Sequence, residues 1–178
     1  MPNLSWESVI NAPVPGSGTA YNTSTTLTDV TPAPQLTIPA NFLQVGSVVK
    51  VTAWGTFANA STTPTLLLGV YYGGVAGTSL GNTGAVTTTS SASTLPWRLE
   101  FTFRVASVGS SGTIFGQGFV DLGTSLTAVT RIPIPNVALA AVTIDTTTAK
   151  ALTIGAQWGT SAAGNTLQVL GVIIESMA

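Results

Sequence analysis

The chain contains no cysteine and no histidine, and only 5 basic and 6 acidic residues are spread over 178. Without cysteine there are no disulfides, no thiolate nucleophile and no Cys-based metal site, as fits a protein made in a reducing cytosol. Without histidine the usual acceptor of a serine proton is missing. Charged residues make up 6% of the chain, against about 25% in ordinary globular domains. The formal net charge of -1 leaves no cluster of Lys or Arg to neutralise a phosphate backbone, so nucleic acid is not an expected partner. So small a charge also gives little self-repulsion, which favours association. The longest apolar-looking run, Val137 to Val142, is far shorter than the roughly 20 residues a membrane helix needs. The first residues, Met1 to Glu7, show neither a basic leader nor an apolar core of a signal peptide. Neither a membrane anchor nor a secretion signal is expected.

What remains is a chain in which hydroxyls and small apolar residues do the work of charges. Short runs rich in β-branched and aromatic residues alternate with Gly, Asn, Pro and Ser clusters, the pattern of an all-β sandwich. The clearest strand is Trp97 to Val105, where Trp97, Leu99, Phe101, Phe103 and Val105 alternate with Arg98, Glu100, Thr102 and Arg104. That alternation predicts one core face and one wet face. Similar runs cover Ser47–Phe57, Pro64–Tyr72, Gly112–Asp121, Thr127–Ile134, Ala151–Trp158 and Thr166–Ser176. Weaker ones fall at Gln35–Ile38, Ala85–Thr89 and Ala141–Asp145. No window carries a helical stripe.

Residues 1–34 read differently, because Pro2, Pro13, Pro15, Pro32 and Pro34 supply five of the ten prolines. Proline withholds ladder hydrogen bonds, so this stretch predicts an extended arm that lies along a surface. A sandwich domain is then expected over 35–178. Leu4, Trp6, Val9 and Ile10 near the tip of the arm are costly in water, and are expected either to dock on a partner or to fold back on the domain. In Thr166–Ser176, Leu170, Val172 and Ile174 fall on one face while Leu167, Val169 and Ile173 fall on the other. Both faces then need cover, which makes Leu170, Val172 and Ile174 the expected subunit interface.

Chemistry-bearing motifs are sparse. Gly77-Thr78-Ser79-Leu80-Gly81 matches the nucleophile-elbow pattern, but that device needs a strand-to-helix turn and a histidine, so the stretch reads as a Gly/Ser loop. Of the carboxylates, Glu100 sits between Arg98 and Arg104 and is expected to pair with an arginine. Asp121 and Asp145 precede Leu-Gly and Thr residues and read as turn caps at strand ends. No clustered Asp or Asn suggests a calcium site, and no phosphate-cradling loop occurs. No catalytic residue, metal ligand or cofactor is therefore expected. Among Trp54, Tyr71, Tyr72, Trp97 and Trp158, placement inside strand runs favours core packing, with Tyr71 or Tyr72 the better candidates for stacking a sugar.

Several strand phrases carry a resemblance. They are Gly46-Ser47-Val48-Val49-Lys50-Val51-Thr52-Ala53-Trp54-Gly55, Thr65 to Gly74, Leu95-Pro96-Trp97-Arg98-Leu99-Glu100, and Ala151 to Thr160 ending Gln157-Trp158-Gly159-Thr160. Together they resemble jelly-roll virion proteins of tailed bacteriophages, over roughly residues 46–175. The resemblance implies a jelly roll related to the tumour-necrosis-factor and C1q-like sandwiches, a homotrimer, and a place on the virion. The implied role is non-enzymatic: a capsid decoration or cement protein bound to the major capsid protein on the outer shell, assembled in the host cytoplasm. A tail-tip or fibre module that recognises a host-surface glycan is the alternative. No functional residue carries over from the resemblance.

Overall fold

The computed structural model describes residues 7–11, 21–22, 24–32, 35–60 and 63–177. Among them there is no helix, and fourteen strands form two antiparallel sheets. The larger sheet runs β1 (Glu7–Asn11), β14 (Thr166–Met177), β5 (Val48–Ala58), β9 (Leu95–Ser107), β10 (Gly112–Ser125) and β11 (Ala128–Ile134). It also takes β2 (Tyr21–Asn22) beside β14 and β12 (Val142–Ile144) beside β10. The smaller sheet runs β3 (Thr28–Asp29), β13 (Lys150–Trp158), β6 (Thr65–Tyr72) and β7 (Thr78–Asn82). β4 (Thr37–Ile38) adds to β13, and β8 (Val86–Thr87) adds to β6. The first strands therefore lie beside the last, the next beside the penultimate, and the chain changes sheet between β5 and β6 and again between β13 and β14. That nesting is a jelly roll.

The core is made by the expected alternation. In β9, Leu95, Trp97, Leu99, Phe101, Phe103 and Val105 are buried between the sheets. In β5, Val49, Val51, Ala53 and Phe57 are their neighbours. Two glycines make room for the largest ring at the centre. A Cβ on Gly116 of β10 would lie 2.4 Å from Cζ of Phe101, and one on Gly81 of β7 would lie 2.9 Å from its Cε2. Phe101 thus fills the space between the two sheets because two facing strands carry no side chain there.

Three expectations are corrected. The subunit-interface reading of β14 fails for Val172 and Ile174, which are 2% and 1% exposed within the single chain. The cause is a β-bulge: Val169 pairs with Gly55 and Gly171 with Trp54, so Leu170 is an extra residue without a partner on β5. One inserted residue resets the period of two, so Leu167 and Val169 before the bulge and Val172 and Ile174 after it all face the core. Of the three residues only Leu170, at 40%, is exposed.

Second, the Gly77–Gly81 stretch is not a loop. Thr78–Asn82 form β7, paired with β6 after a turn at Gly73 and Gly74, whose φ values of 90° and 79° only glycine adopts without strain. Leu80 points into the core.

Third, the described part of residues 1–34 is built into the sandwich. Tyr21 is buried and its hydroxyl stands within hydrogen-bonding distance of the carbonyls of Ser24 and Thr26, at 2.6 and 2.8 Å. From there the chain follows the edge of β13: Thr28 and Asp29 pair with Ala156 and Gly155, Val30 N donates to the Ile154 carbonyl at 2.9 Å, and Ile154 N donates to Thr31 Oγ1 at 2.8 Å. The break expected at residue 34 therefore does not separate an arm from the domain along this stretch, since β3 and β4 on either side of it extend the same edge. Of the expected anchoring residues, Val9 and Ile10 lie in β1, whose backbone pairs with the end of β14. Leu4 and Trp6 lie outside the described residues.

Candidate functional surface

The outward face of the larger sheet gathers most of what the chain has to interact with. Residues directly opposite one another across a sheet point to the same side. Register therefore places Trp54, Arg98, Asp121 and Arg131 in one row across β5, β9, β10 and β11. The next rows are Thr52, Glu100, Phe119 and Pro133, then Glu175, Lys50, Thr102 and Gln117, then Val48, Arg104 and Phe115. Four of the five basic residues (Lys50, Arg98, Arg104, Arg131) and three of the six acidic ones (Glu100, Asp121, Glu175) thus share one face. Six of the ten exposed large apolar residues among those described, Trp54, Phe115, Val129, Val137, Leu139 and Leu170, lie on this face or on the loop at its border.

Four of the charges on the face form two ion pairs. Asp121 accepts two hydrogen bonds from Arg131, from Nε at 2.7 Å and Nη2 at 2.8 Å, and the same guanidinium stands 3.9 Å over the ring of Phe119. Arg98 pairs with Glu100 along β9, as the sequence suggested for Glu100. Asp121, expected to cap a turn, instead sits inside the long strand β10, and the hydrogen bonds from Arg131 hold its carboxyl below the ordinary aspartate range. Asp145 does cap a turn: it accepts from Thr147 N and Oγ1 and from Thr148 Oγ1.

The sign of the Asp121 shift makes a pH prediction. A carboxyl with a depressed folded pKa stabilises the fold above its unfolded value, and this contribution is lost as pH falls through the folded pKa. Carboxyl NMR should find Asp121 titrating below the ordinary aspartate range, and Arg131→Ala should move its midpoint up towards that range. An unchanged midpoint in the variant would remove Arg131 as the cause.

At one end of the face, a loop from Pro135 to Ala141 joins β11 to β12. Its base is tied to the other sheet, since Asn136 N donates to the Asn82 carbonyl at 3.0 Å and Asn136 Nδ2 to the Thr83 carbonyl at 2.7 Å. Beyond that base, Val137 and Leu139 are 76% and 55% exposed. Leu139 separates two creases in the sheet face. One, of about 440 Å³, runs past Phe119, Pro133 and Pro135, and the other, of about 390 Å³, past Val48, Arg104 and Phe115.

At the other end, Trp54 lies across β14. A Cβ on Gly171 would fall 2.3 Å from Cζ2 of the indole and 2.7 Å from Cε2 and Cη2, so the ring rests on the glycine while the residue stays 37% exposed. Leu170, pushed out by the bulge, and Pro96, Val129, Arg98 and Asp121 border a groove of about 460 Å³ beside it.

The tyrosines favoured for sugar stacking are elsewhere. Tyr71 and Tyr72 are buried, and burial raises the pKa of both hydroxyls. Tyr71 covers Gly155 next to Leu27, and Tyr72 donates to the Asp145 carbonyl at 3.2 Å. Trp97 and Trp158 are core residues. Trp54 is the aromatic candidate that reaches solvent, and parity on β5 carried the signal, because it falls in step with Lys50, Thr52 and Thr56 and out of step with Val49, Val51 and Ala53. Among the described residues no group of three or more His, Cys, Asp or Glu could hold a metal ion, and no helix is long and apolar enough to cross a membrane.

No protein-family model matches the chain, and no curated protein matches it. Among solved structures, the chain is similar to lectin UEA-II, determined in complex with galactose. The alignment covers 98% of each chain, at 10% identity and a TM-score of 0.38. A likeness that distant assigns no function.

Proposed function

We propose that the chain is a non-enzymatic structural protein of a phage virion, working as a homotrimer that decorates the outer capsid shell. The observation that carries the assembly part is the crease around Leu139. Val137 and Leu139 project into solvent from a loop whose base is tied to the smaller sheet, and with Phe115 and Phe119 they gather apolar surface at one end of the face. An apolar patch of this kind on a soluble protein is most often a contact surface, and a stable interface buries about 800 Å² per partner. Loop and creases together offer a surface that a neighbouring copy can fill. The virion part rests on the strand phrases that resemble phage jelly-roll proteins. Leu4, Trp6, Val9 and Ile10 are the proposed contact with the major capsid protein, Val9 and Ile10 lying in β1 at the edge of the larger sheet.

The double variant Val137→Asp/Leu139→Asp tests the interface. Both side chains are exposed, so circular dichroism and melting temperature should stay close to those of the parent while the mass by light scattering falls from trimer to monomer. A variant that keeps the parent's mass places the interface elsewhere. Mass spectrometry of purified phage particles tests the virion assignment directly.

A second reading, a virion module that binds a host-surface glycan, is favoured by one observation, the exposed indole of Trp54. The buried Tyr71 and Tyr72 give it no support.

A further inference from the structure

We infer that the groove beside Trp54 is a binding site for a neutral saccharide, with the indole as stacking platform. The inference rests on the glycan reading and gives it a place. Three features built into the strands point to it. First, the platform is prepared: Gly171 lacks the side chain that would lift the indole, and the bulge that sets Gly171 opposite Trp54 also turns Leu170 outward at the ring's border. An aromatic ring lying on a sheet, held from below, presents a flat apolar surface of the size of one pyranose ring, whose C–H faces are apolar.

Second, the polar groups beside the platform are fixed. Arg98 and Asp121 line the groove, and Arg98 is tied to Glu100 while Asp121 is tied at two points to Arg131. Sugar hydroxyls both donate and accept, and they fit a carboxylate with free lone pairs beside a guanidinium with free N–H groups. Paired side chains are already ordered, so less entropy is lost when a ligand binds.

Third, the charges select against ions. Arg131, Asp121, Arg98 and Glu100 alternate in sign and sum to zero, so the array offers hydrogen bonds without a net field. An anionic or cationic ligand gains little there, while a neutral polyhydroxyl ring can hydrogen-bond with Arg98 and Asp121. The groove volume of about 460 Å³ lies in the usual range for small-molecule sites, about 300–1,000 Å³. It suits one or two sugar rings. The Leu139 creases lie on the Glu100, Thr102 and Arg104 rows and share no lining residue with the groove beside Trp54, so the proposed assembly contact leaves the platform open.

The test uses the full chain and a panel of methyl glucoside, galactoside and mannoside with N-acetylglucosamine, read by saturation-transfer NMR and by quenching of tryptophan fluorescence. The parent is expected to bind at least one member. Trp54→Ala, and separately Gly171→Ala, which drives a methyl group into the ring's seat, should each weaken that binding by about tenfold or more, with mass and melting temperature unchanged. If the parent binds no member of the panel, both the site and the glycan reading fail. If the parent binds and both variants bind equally well, the site is wrong while the glycan reading stands. If Trp54→Ala lowers the oligomer's mass, the groove is a subunit contact, and the saccharide site is overturned.

Discussion

Val172→Asp should abolish folding, whereas Leu170→Asp, two residues away, should leave the protein folded. Val172 packs in the interior opposite Ala53, while Leu170 is the residue that the bulge expels. A carboxylate at 172 would lose its water with no cation on the core side of the sheet, since the register points Lys50, Arg98, Arg104 and Arg131 outward. The effective penalty for such a charge is several kcal/mol even after relaxation. Part of it can be avoided only by binding a proton and leaving a polar acid in the core. Against a total stability of about 5–15 kcal/mol for a typical domain, that is enough to unfold most of the population. At Leu170 the same change meets solvent and should fall within about 0.5 kcal/mol. Circular dichroism melts of the two variants decide it. A cooperative melt of Val172→Asp at the parent's temperature would mean that β14 does not carry the bulge at Leu170.

Phe101→Ala is the second large effect. Its ring is fully buried and occupies the space that Gly81 and Gly116 leave open from opposite sheets. Neither glycine has a side chain to extend into the void, and β10 is held by ladders on both sides while β7 is held by its ladder to β6. Collapse is therefore limited, and the loss should lie near the upper end of the about 3–5 kcal/mol typical of Phe→Ala. The converse change, Gly116→Leu, forces a side chain into a ring that has nowhere to go and should cost about 1–3 kcal/mol by overpacking. Urea denaturation reads both as shifts of midpoint. A Phe101→Ala midpoint indistinguishable from the parent's would show that the two sheets do not meet through this ring.

Much of the fold was legible in the sequence, because a strand with one dry and one wet face announces itself at period two. β9 is the plain case: six buried apolar residues alternate with Arg98, Glu100, Thr102 and Arg104. Every run read as a strand from residue 35 onward is a strand. What escaped has a physical cause in each instance. The bulge at Leu170 was misread as a two-sided strand, although two in-phase pairs, Leu167/Val169 and Val172/Ile174, offset by one residue are what a bulge leaves in a sequence. β7 was hidden because Ser79, Gly81 and Asn82 have low strand propensity, and only its pairing with β6 and the presence of Leu80 in the core make it a strand. The short strands near the N-terminus were hidden by proline, which bars long ladders but permits the interrupted edge that β3 and β4 make along β13.

The candidate surface was legible only in part. Glu100 could be paired with an arginine from sequence, since same-face neighbours on a strand are two residues apart. The Asp121–Arg131 pair could not, because it depends on the register between β10 and β11. The burial of Tyr71 depends on residues far apart in the chain, Leu27 and Gly155. The exposed Trp54 was within reach by parity alone, but its seat on Gly171 required the bulge.

The most direct test of the account is the mass of the purified chain by light scattering coupled to size-exclusion chromatography. The account predicts a stable, monodisperse species near three times 18.0 kDa, which the Val137→Asp/Leu139→Asp variant reduces to a single chain. A monodisperse monomer for the parent would contradict it, because the apolar loop and creases around Leu139 would then stand in water with no copy of the chain to cover them.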